Sequence, residues 1–352
     1  NDKRYFPHEY LYEIIKSEEG AKAKLIETKE ETNTGEVKTL TDFINWGKNK
    51  VPAENYCIVL HGHGAGWRNA FLRDETDDDF LTIDELKEST SQIKNVLNKK
   101  IDLLVLDACL MGMTEVYYQI RDNVKTCVAT PDLIPAWNSG SNPRGGCPMH
   151  MVLPDLYQNP DSTKEELAEY FVEGYSDYYN NAVSAQAINI EKLSNNLAEK
   201  IDIFAEALVN NFRKFKDEIK FAIEKSASYN APAEDGGDYV THYKDLYNFA
   251  HRIYQEVEDQ YIKNKAHDVL DAIIECEIYP GTSLGLSIYI PTKNFEYKYD
   301  PDYENIDLSK DTSWINFVGK TKNVKAKSYL DLLSSNFRFN RLIKNILNLI
   351  LN

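Results

Sequence analysis

The stretch Ile101–Met113, IDLLVLDACLMGM, limits the fold more than any other part of the chain. Large aliphatics from Leu103 to Leu106 run directly into Asp107-Ala108-Cys109. Leu110, Met113, Val116, Tyr117 and Ile120 then recur at helical spacing. The stretch therefore reads as a buried strand, a sharp turn and a helix. A cysteine at that turn lies at the carboxyl end of a strand, the edge where open α/β sheets carry out their chemistry. A helix N-terminus close by would also favour the thiolate. The alternative is a small buried core cysteine.

A second stretch, Tyr56–Trp67, YCIVLHGHGAGW, repeats the design. Its apolar strand runs into a glycine-rich loop carrying His61 and His63, and a nucleophilic cysteine needs a base close in space. Between the two stretches lies one helix. Thr82-Ile83-Asp84-Glu85 forms a capping box, and Ile83, Leu86, Ile93, Val96 and Leu97 mark one face. Strand, helix and strand make a βαβ unit, so the two strands are parallel and adjacent or nearly so. His63 and Cys109 then project from neighbouring strand ends.

An apolar strand ending in His-Gly, followed by one ending in Asp-Ala-Cys, resembles the caspase-like cysteine peptidases. Gly64-Ala65-Gly66-Trp67 after the histidine and Leu110-Met111-Gly112 after the cysteine are similar to the clostripain family in particular. So are Leu40–Trp46, Asp79–Thr82, Asp245–Ala250 and Gly285–Pro291, which extend the likeness over roughly residues 38–335. The resemblance implies an α/β fold, a caspase-like three-layer sandwich with a mostly parallel central sheet flanked by helices. It also implies an endopeptidase cleaving after Arg or Lys. Cys109 would be the nucleophile and His63, the histidine of His-Gly-x-Gly-Trp, the base. The backbone N–H groups of Gly64 and Cys109 would form the oxyanion hole. The reaction requires no cofactor, and the location implied is secreted or cell-surface, in a bacterium. In the family a strand and helix normally precede what is seen here, so the chain, which begins at Asn1, is expected to be a processed or incompletely covered product. The peptidase domain is expected over residues 1–335, with a helical tail at 336–352.

By strand parity Asp107 shares a side with Cys109. A carboxylate there raises the thiol's pKa and so hinders thiolate formation. It makes sense as the receiver of a cationic substrate side chain, and the family likeness gives it that role at the base of the S1 pocket. The alternative is a helix cap. The irregular loop Thr130–His150 is long enough to be functional. In the family this region helps wall the substrate cleft, which points to Asp132 and Trp137 as substrate-binding residues; Arg144 lies in the same loop. Two further readings stay open: a catalytically idle module binding cationic peptides, and another thiol amidase or transferase on the same scaffold.

Composition narrows the partners. A formal charge of −16 argues against nucleic acid and anionic membranes and favours cationic ligands. No apolar run approaches the ~18 residues of a membrane span. Five cysteines without paired spacing indicate neither a disulfide framework nor a zinc site. Cys57 and Cys127, in apolar strands, are expected to be buried.

Elsewhere the pattern predicts a partial helix around Tyr10–Ile15, a strand at Ala23–Thr28 and helices at Thr39–Lys48 and Thr163–Asn181. Further strands are expected at Lys125–Ala129, Val183–Ile190 and Leu284–Ile290. Helices are expected within Lys192–Ala227, Tyr239–Tyr254 and Asp259–Cys276. Arg68–Asp79, RNAFLRDETDDD, reads as a polar loop. A calcium site is the alternative reading of its carboxylates. Arg73 in this loop is a candidate self-cleavage point, because exposed loop tips are favoured sites of nicking.

Overall fold

The computed structural model describes residues 8–17, 20–68, 71–135, 145–231, 240–279, 285–291 and 301–321. Strand β1, His8–Ser17, pairs antiparallel with β2, Gly20–Glu30. The partial helix expected around Tyr10–Ile15 is therefore a strand. Tyr10, Tyr12 and Ile14 alternate with period two, and each residue finds a partner across the hairpin. Helix α1, Val37–Lys50, leads into β3, Cys57–His61. Next come β4, Phe71–Asp74, and β5, Asp79–Leu81, then α2, Ile83–Leu97. Strand β6, Ile101–Asp107, is followed by a short α3, Thr114–Gln119, and by β7, Val124–Ala129.

Helices α4, Met149–Gln158, and α5, Lys164–Tyr178, precede β8, Gln186–Asn189. The chain continues through α6, Ile190–Lys192, a π-turn at Leu193–Leu197, α7, Ala198–Asn211, and α8, Lys216–Lys225. Strands β9, Ser228–Ala231, and β10, Val240–Asp245, lead to α9, Leu246–Glu256, and α10, Gln260–Cys276. Strands β11, Glu277–Tyr279, and β12, Ser287–Tyr289, and helices α11, Asp307–Asp311, and α12, Trp314–Thr321, complete the described elements.

The central sheet has the order β11-β8-β7-β6-β3. Strands β3, β6 and β7 run parallel, while β8 and β11 are each antiparallel to their neighbours. Every residue of β6 is buried, so alternate side chains feed two cores. Leu104 and Leu106 join α2, α3, α7 and α10 on one face. Leu103 and Val105 meet Phe171, Val172 and Tyr175 of α5 on the other. Three layers result, with helices on both faces of a mixed sheet.

Both capping boxes form, at Thr82/Glu85 before α2 and Thr163/Glu166 before α5. The helix expected over Tyr239–Tyr254 begins only at Leu246. Tyr243–Asp245 is drawn into a sheet with β12, and Asp245 caps α9 through the Asn248 N–H. Arg68–Asp79 is not simply a loop: β4 and β5 form a hairpin that buries Phe71. Cys57 is exposed, because β3 is the edge strand and Cys57 its first residue. Cys127 is buried as expected. The tail 336–352 lies outside the described residues.

Candidate active site

Strands β3 and β6 are in register from Cys57↔Leu103 to His61↔Asp107. Two residues beyond that last pair, on the loops leaving the two strands, stand His63 and Cys109. The loops are in contact. A Cβ on Gly64 would lie 2.6 Å from the Cys109 carbonyl oxygen and 2.9 Å from Ala108 Cβ. Only a residue without a side chain allows this approach. The sheet β12-β10-β9 holds both loops in place. Tyr243 donates its hydroxyl to the Ala65 carbonyl at 2.7 Å, and Ser287 N–H donates to the Gly112 carbonyl at 3.2 Å. Trp67 is buried edge-on against Tyr289 and Tyr303, which anchors the far end of the histidine loop.

Cys109 is half-buried, and its Sγ accepts a hydrogen bond from Ile134 N–H at 3.2 Å. Burial holds the thiol above its ordinary pKa, and the charges of Asp107 and Asp132 push the same way; the Ile134 N–H acts against them. The helix-dipole expectation fails. Residues 109–113 form an irregular turn, Leu110 has a φ of 66°, and α3 starts only at Thr114. A helix of six residues starting five positions away does not acidify this thiol. A nearby base is then needed to take its proton.

Asp107 is 2% exposed and receives three donors. His61 Nδ1 lies 2.6 Å from Oδ2, Cys147 N–H donates to Oδ2 at 2.7 Å, and the Tyr175 hydroxyl donates to Oδ1. It does not cap the turn that follows it. It also does not present an open carboxylate to a substrate cation, because His61 and the Gly146–Cys147 backbone cover it. A cavity of about 350 Å³ opens against this assembly, lined by His61, Asp107, Gly146, Cys147, His150 and Tyr178 among others.

Asp132 sits beside the cysteine turn, its carbonyl accepting from Leu110 N–H at 3.0 Å. Trp137 and Arg144 lie outside the described residues. Arg73, exposed on β4, donates to Asp78 at 2.8 Å. In the acidic run, Asp74 and Asp77 gather with Glu31. Asp74 already accepts from Thr34, Thr76 and Asp77 main-chain N–H groups, the signature of a capped turn. Residue patterns alone missed Tyr175, Ile134 and Gly146–Cys147 as parts of the site. Gly145-Gly146-Cys147 inside a Pro/Gly-rich loop was the only available signal.

A mixed sheet with two neighbouring parallel strands that end in a histidine loop and a cysteine loop, with helices on both faces, is the architecture of the caspase-like fold. A model of the clostripain family matches residues 4–330, and the chain belongs to that family. It is 25% identical over 346 residues to clostripain of Hathewaya histolytica, covering 84% of this chain and 64% of that protein. Two solved structures share the fold at 18% identity. One is described as a secreted C11 cysteine protease from Bacteroides thetaiotaomicron in complex with an irreversible peptide inhibitor (TM-score 0.62, covering 88% of this chain and 86% of that one). The other is described as an inactive zymogen C11 protease from Parabacteroides distasonis (TM-score 0.64, 86% and 83%).

Proposed function

We propose that this chain is a cysteine endopeptidase acting on peptide bonds after a basic residue. The observation that supports the reading is the register of β3 and β6, paired up to His61↔Asp107, together with the close approach of Gly64, next to His63, to the Cys109 carbonyl. In this reading His63 takes the Cys109 proton as the thiol attacks the scissile carbonyl, then delivers a proton to the leaving amine. The thiolate becomes the acyl carrier until water, activated by the same imidazole, releases the product. The Gly64 and Cys109 N–H groups stabilise the oxyanion. Asp132, beside the cysteine turn, is assigned to substrate binding, Trp137 is assigned there from the sequence resemblance alone, and Asp107 supplies the negative charge behind the S1 pocket. Thiol and imidazole suffice for this chemistry, so turnover should survive exhaustive treatment with a chelator; a calcium requirement would show as loss of rate restored by added Ca²⁺. The relationship to clostripain supports the reading, and secretion from a bacterial cell is part of the same proposal, suggested by a structural neighbour described as a secreted C11 cysteine protease. Among the described residues no helix is long and apolar enough to cross a membrane.

The test is hydrolysis of Arg- and Lys-containing peptide amides. Cys109→Ala should reduce kcat/KM by at least about 10³-fold, since a lost nucleophile removes the covalent route. Iodoacetamide should inactivate the protein through Cys109 and spare buried Cys127 and Cys276. Cys57 is exposed, and although desolvation pushes its thiol up to about 12, the labelling is best read in a Cys57→Ser background. Full turnover by the alanine variant would show that the thiol is a bystander.

A further inference from the structure

The S1 carboxylate of this chain carries a histidine cap. His61, the last residue of β3, stands beside Asp107, the last residue of β6, with Nδ1 2.6 Å from Oδ2. The carboxylate is buried while the His61 side chain is 65% exposed, so the imidazole is the face the pocket presents. The pair is enclosed from above by Gly146, at φ 98°, where an added Cβ would lie 2.6 Å from His61 Cε1 and 3.0 Å from Asp107 Oδ2. Tyr179 holds that glycine through its N–H, at 2.7 Å, and its carbonyl, at 3.0 Å. Among the described residues, His61 and this backbone stand over Asp107 on the side of the cavity.

Resting on the peptidase reading above, we infer that His61 is a specificity-determining residue: it relays the Asp107 charge to a basic P1 side chain when neutral and rejects that side chain when protonated. With Nδ1–H donated to Asp107, a neutral imidazole has its lone pair at Nε2, an acceptor for a lysine ammonium or arginine guanidinium. The carboxylate behind it strengthens that acceptor. A protonated imidazole cancels the Asp107 charge and offers Nε2–H instead, a donor that meets the substrate cation with like charge.

The other titratable groups around the cavity belong to two elements. From the Gly146–His150 segment come Cys147 and His150; from α5 and its end come Tyr175, Tyr178 and Tyr179. Burial pushes the Cys147 and Tyr175 protons well above their ordinary range and Tyr179 up to about 12, so these three stay neutral. The hydrogen bond to Asp107 raises the His61 pKa above the ordinary imidazole value, against the opposing effect of burial.

The experiment compares two peptide amides that differ only at P1, one with Arg and one with citrulline, the neutral isostere. The ratio of their kcat/KM values is followed from pH 5 to 9 in the full chain. Ionisation of Cys109 and His63 affects both substrates equally and cancels in the ratio. In the wild type the Arg preference should rise about 10-fold or more with pH along a single-proton curve. NMR titration of the labelled His61 imidazole should give the same midpoint. His61→Asn, which keeps a donor to Asp107 and removes the titration, should make the ratio independent of pH, and His61→Ala should do likewise. A flat wild-type ratio, an inflection that persists in both variants, or loss of all turnover in both folded variants would overturn the inference. Absence of Cys109-dependent cleavage of either substrate would instead overturn the peptidase reading itself.

Discussion

At the residue scale the site depends on Gly64 as much as on the groups that react. Its missing side chain is what lets the histidine loop rest on the Cys109 carbonyl. Gly64→Ala would put a methyl group 2.6 Å from that oxygen and 2.9 Å from Ala108 Cβ, both fixed by backbone. One loop must then move by a sizeable fraction of an ångström. A displacement of about 1 Å between reacting groups costs about 10²-fold in rate, and overpacking costs about 1–3 kcal/mol in stability. The variant should therefore fold, with unchanged circular dichroism, and lose roughly 10²-fold in kcat/KM. Wild-type turnover would mean that the two loops are not in contact during catalysis. That His61 and Asp107 end neighbouring strands was legible in the sequence because each closes an apolar run, with His63 and Cys109 two residues further on. That His61 covers Asp107 was not, because parity gives the side of a sheet but not which of two adjacent groups screens the other.

At the scale of elements, the βαβ unit was readable for a physical reason. Strand β6 must be apolar on both faces, and α2 announces its start with a reciprocal cap. Strand β10 was not readable. Val240–Asp245 gains its identity from β12, more than forty residues on, and long-range pairing leaves little local trace. Similarly, α3 is shorter than its apolar spacing suggests. Leu110 and Met113 are buried by the turn itself, which a periodicity count cannot distinguish from a helix. The helices around this unit are tied together by Asp307 of α11. It meets Lys87 of α2 at 2.7 Å and Arg121, just after α3, at 2.6 Å. Burial opposes the charge, but the hydrogen bonds from Lys87 and Arg121 and their charges win, so the folded carboxyl pKa lies below the ordinary value. The contribution is thus fully present above the ordinary carboxylate range and is lost as pH falls through the lowered pKa. Asp307→Asn should cost about 1 kcal/mol at pH 7, with solvent screening allowed for, and that deficit should shrink on acidification. Urea unfolding at pH 7 and pH 3 checks this; an equal deficit at both would mean the charge contributes nothing.

At the scale of the whole molecule, the proposed cleavage after basic residues has a consequence for the chain itself. A chain that cleaves after Arg also carries Arg, and among the described residues Arg73 is an accessible site on a hairpin, with Lys99 and Lys100 as further basic residues just beyond the end of α2. Arg73 is 54% exposed on its side chain and lies where β4 and β5 lose register. Phe71 pairs with Leu81 and Asp74 with Asp79, so the residues between carry one more on β4 than on β5, a bulge with Leu72 at φ 52°. A bulged residue is released from the ladder and can be drawn into an active site at low cost. Arg68 is adjacent to the buried Trp67, and Lys87 and Lys94 are within α2. Cleavage after Arg73 would leave residues 1–73 attached by the five-residue register of β3 on β6 and by α1 packed on α2. The two pieces should therefore remain one particle by gel filtration while separating under denaturing conditions. Purified protein should yield a new N-terminus at Asp74, and both Cys109→Ala and Arg73→Gln should remain whole under the same conditions. A new terminus elsewhere, cleavage that persists in the Cys109 variant, or an uncut chain already at full activity would each rule out self-processing at this hairpin.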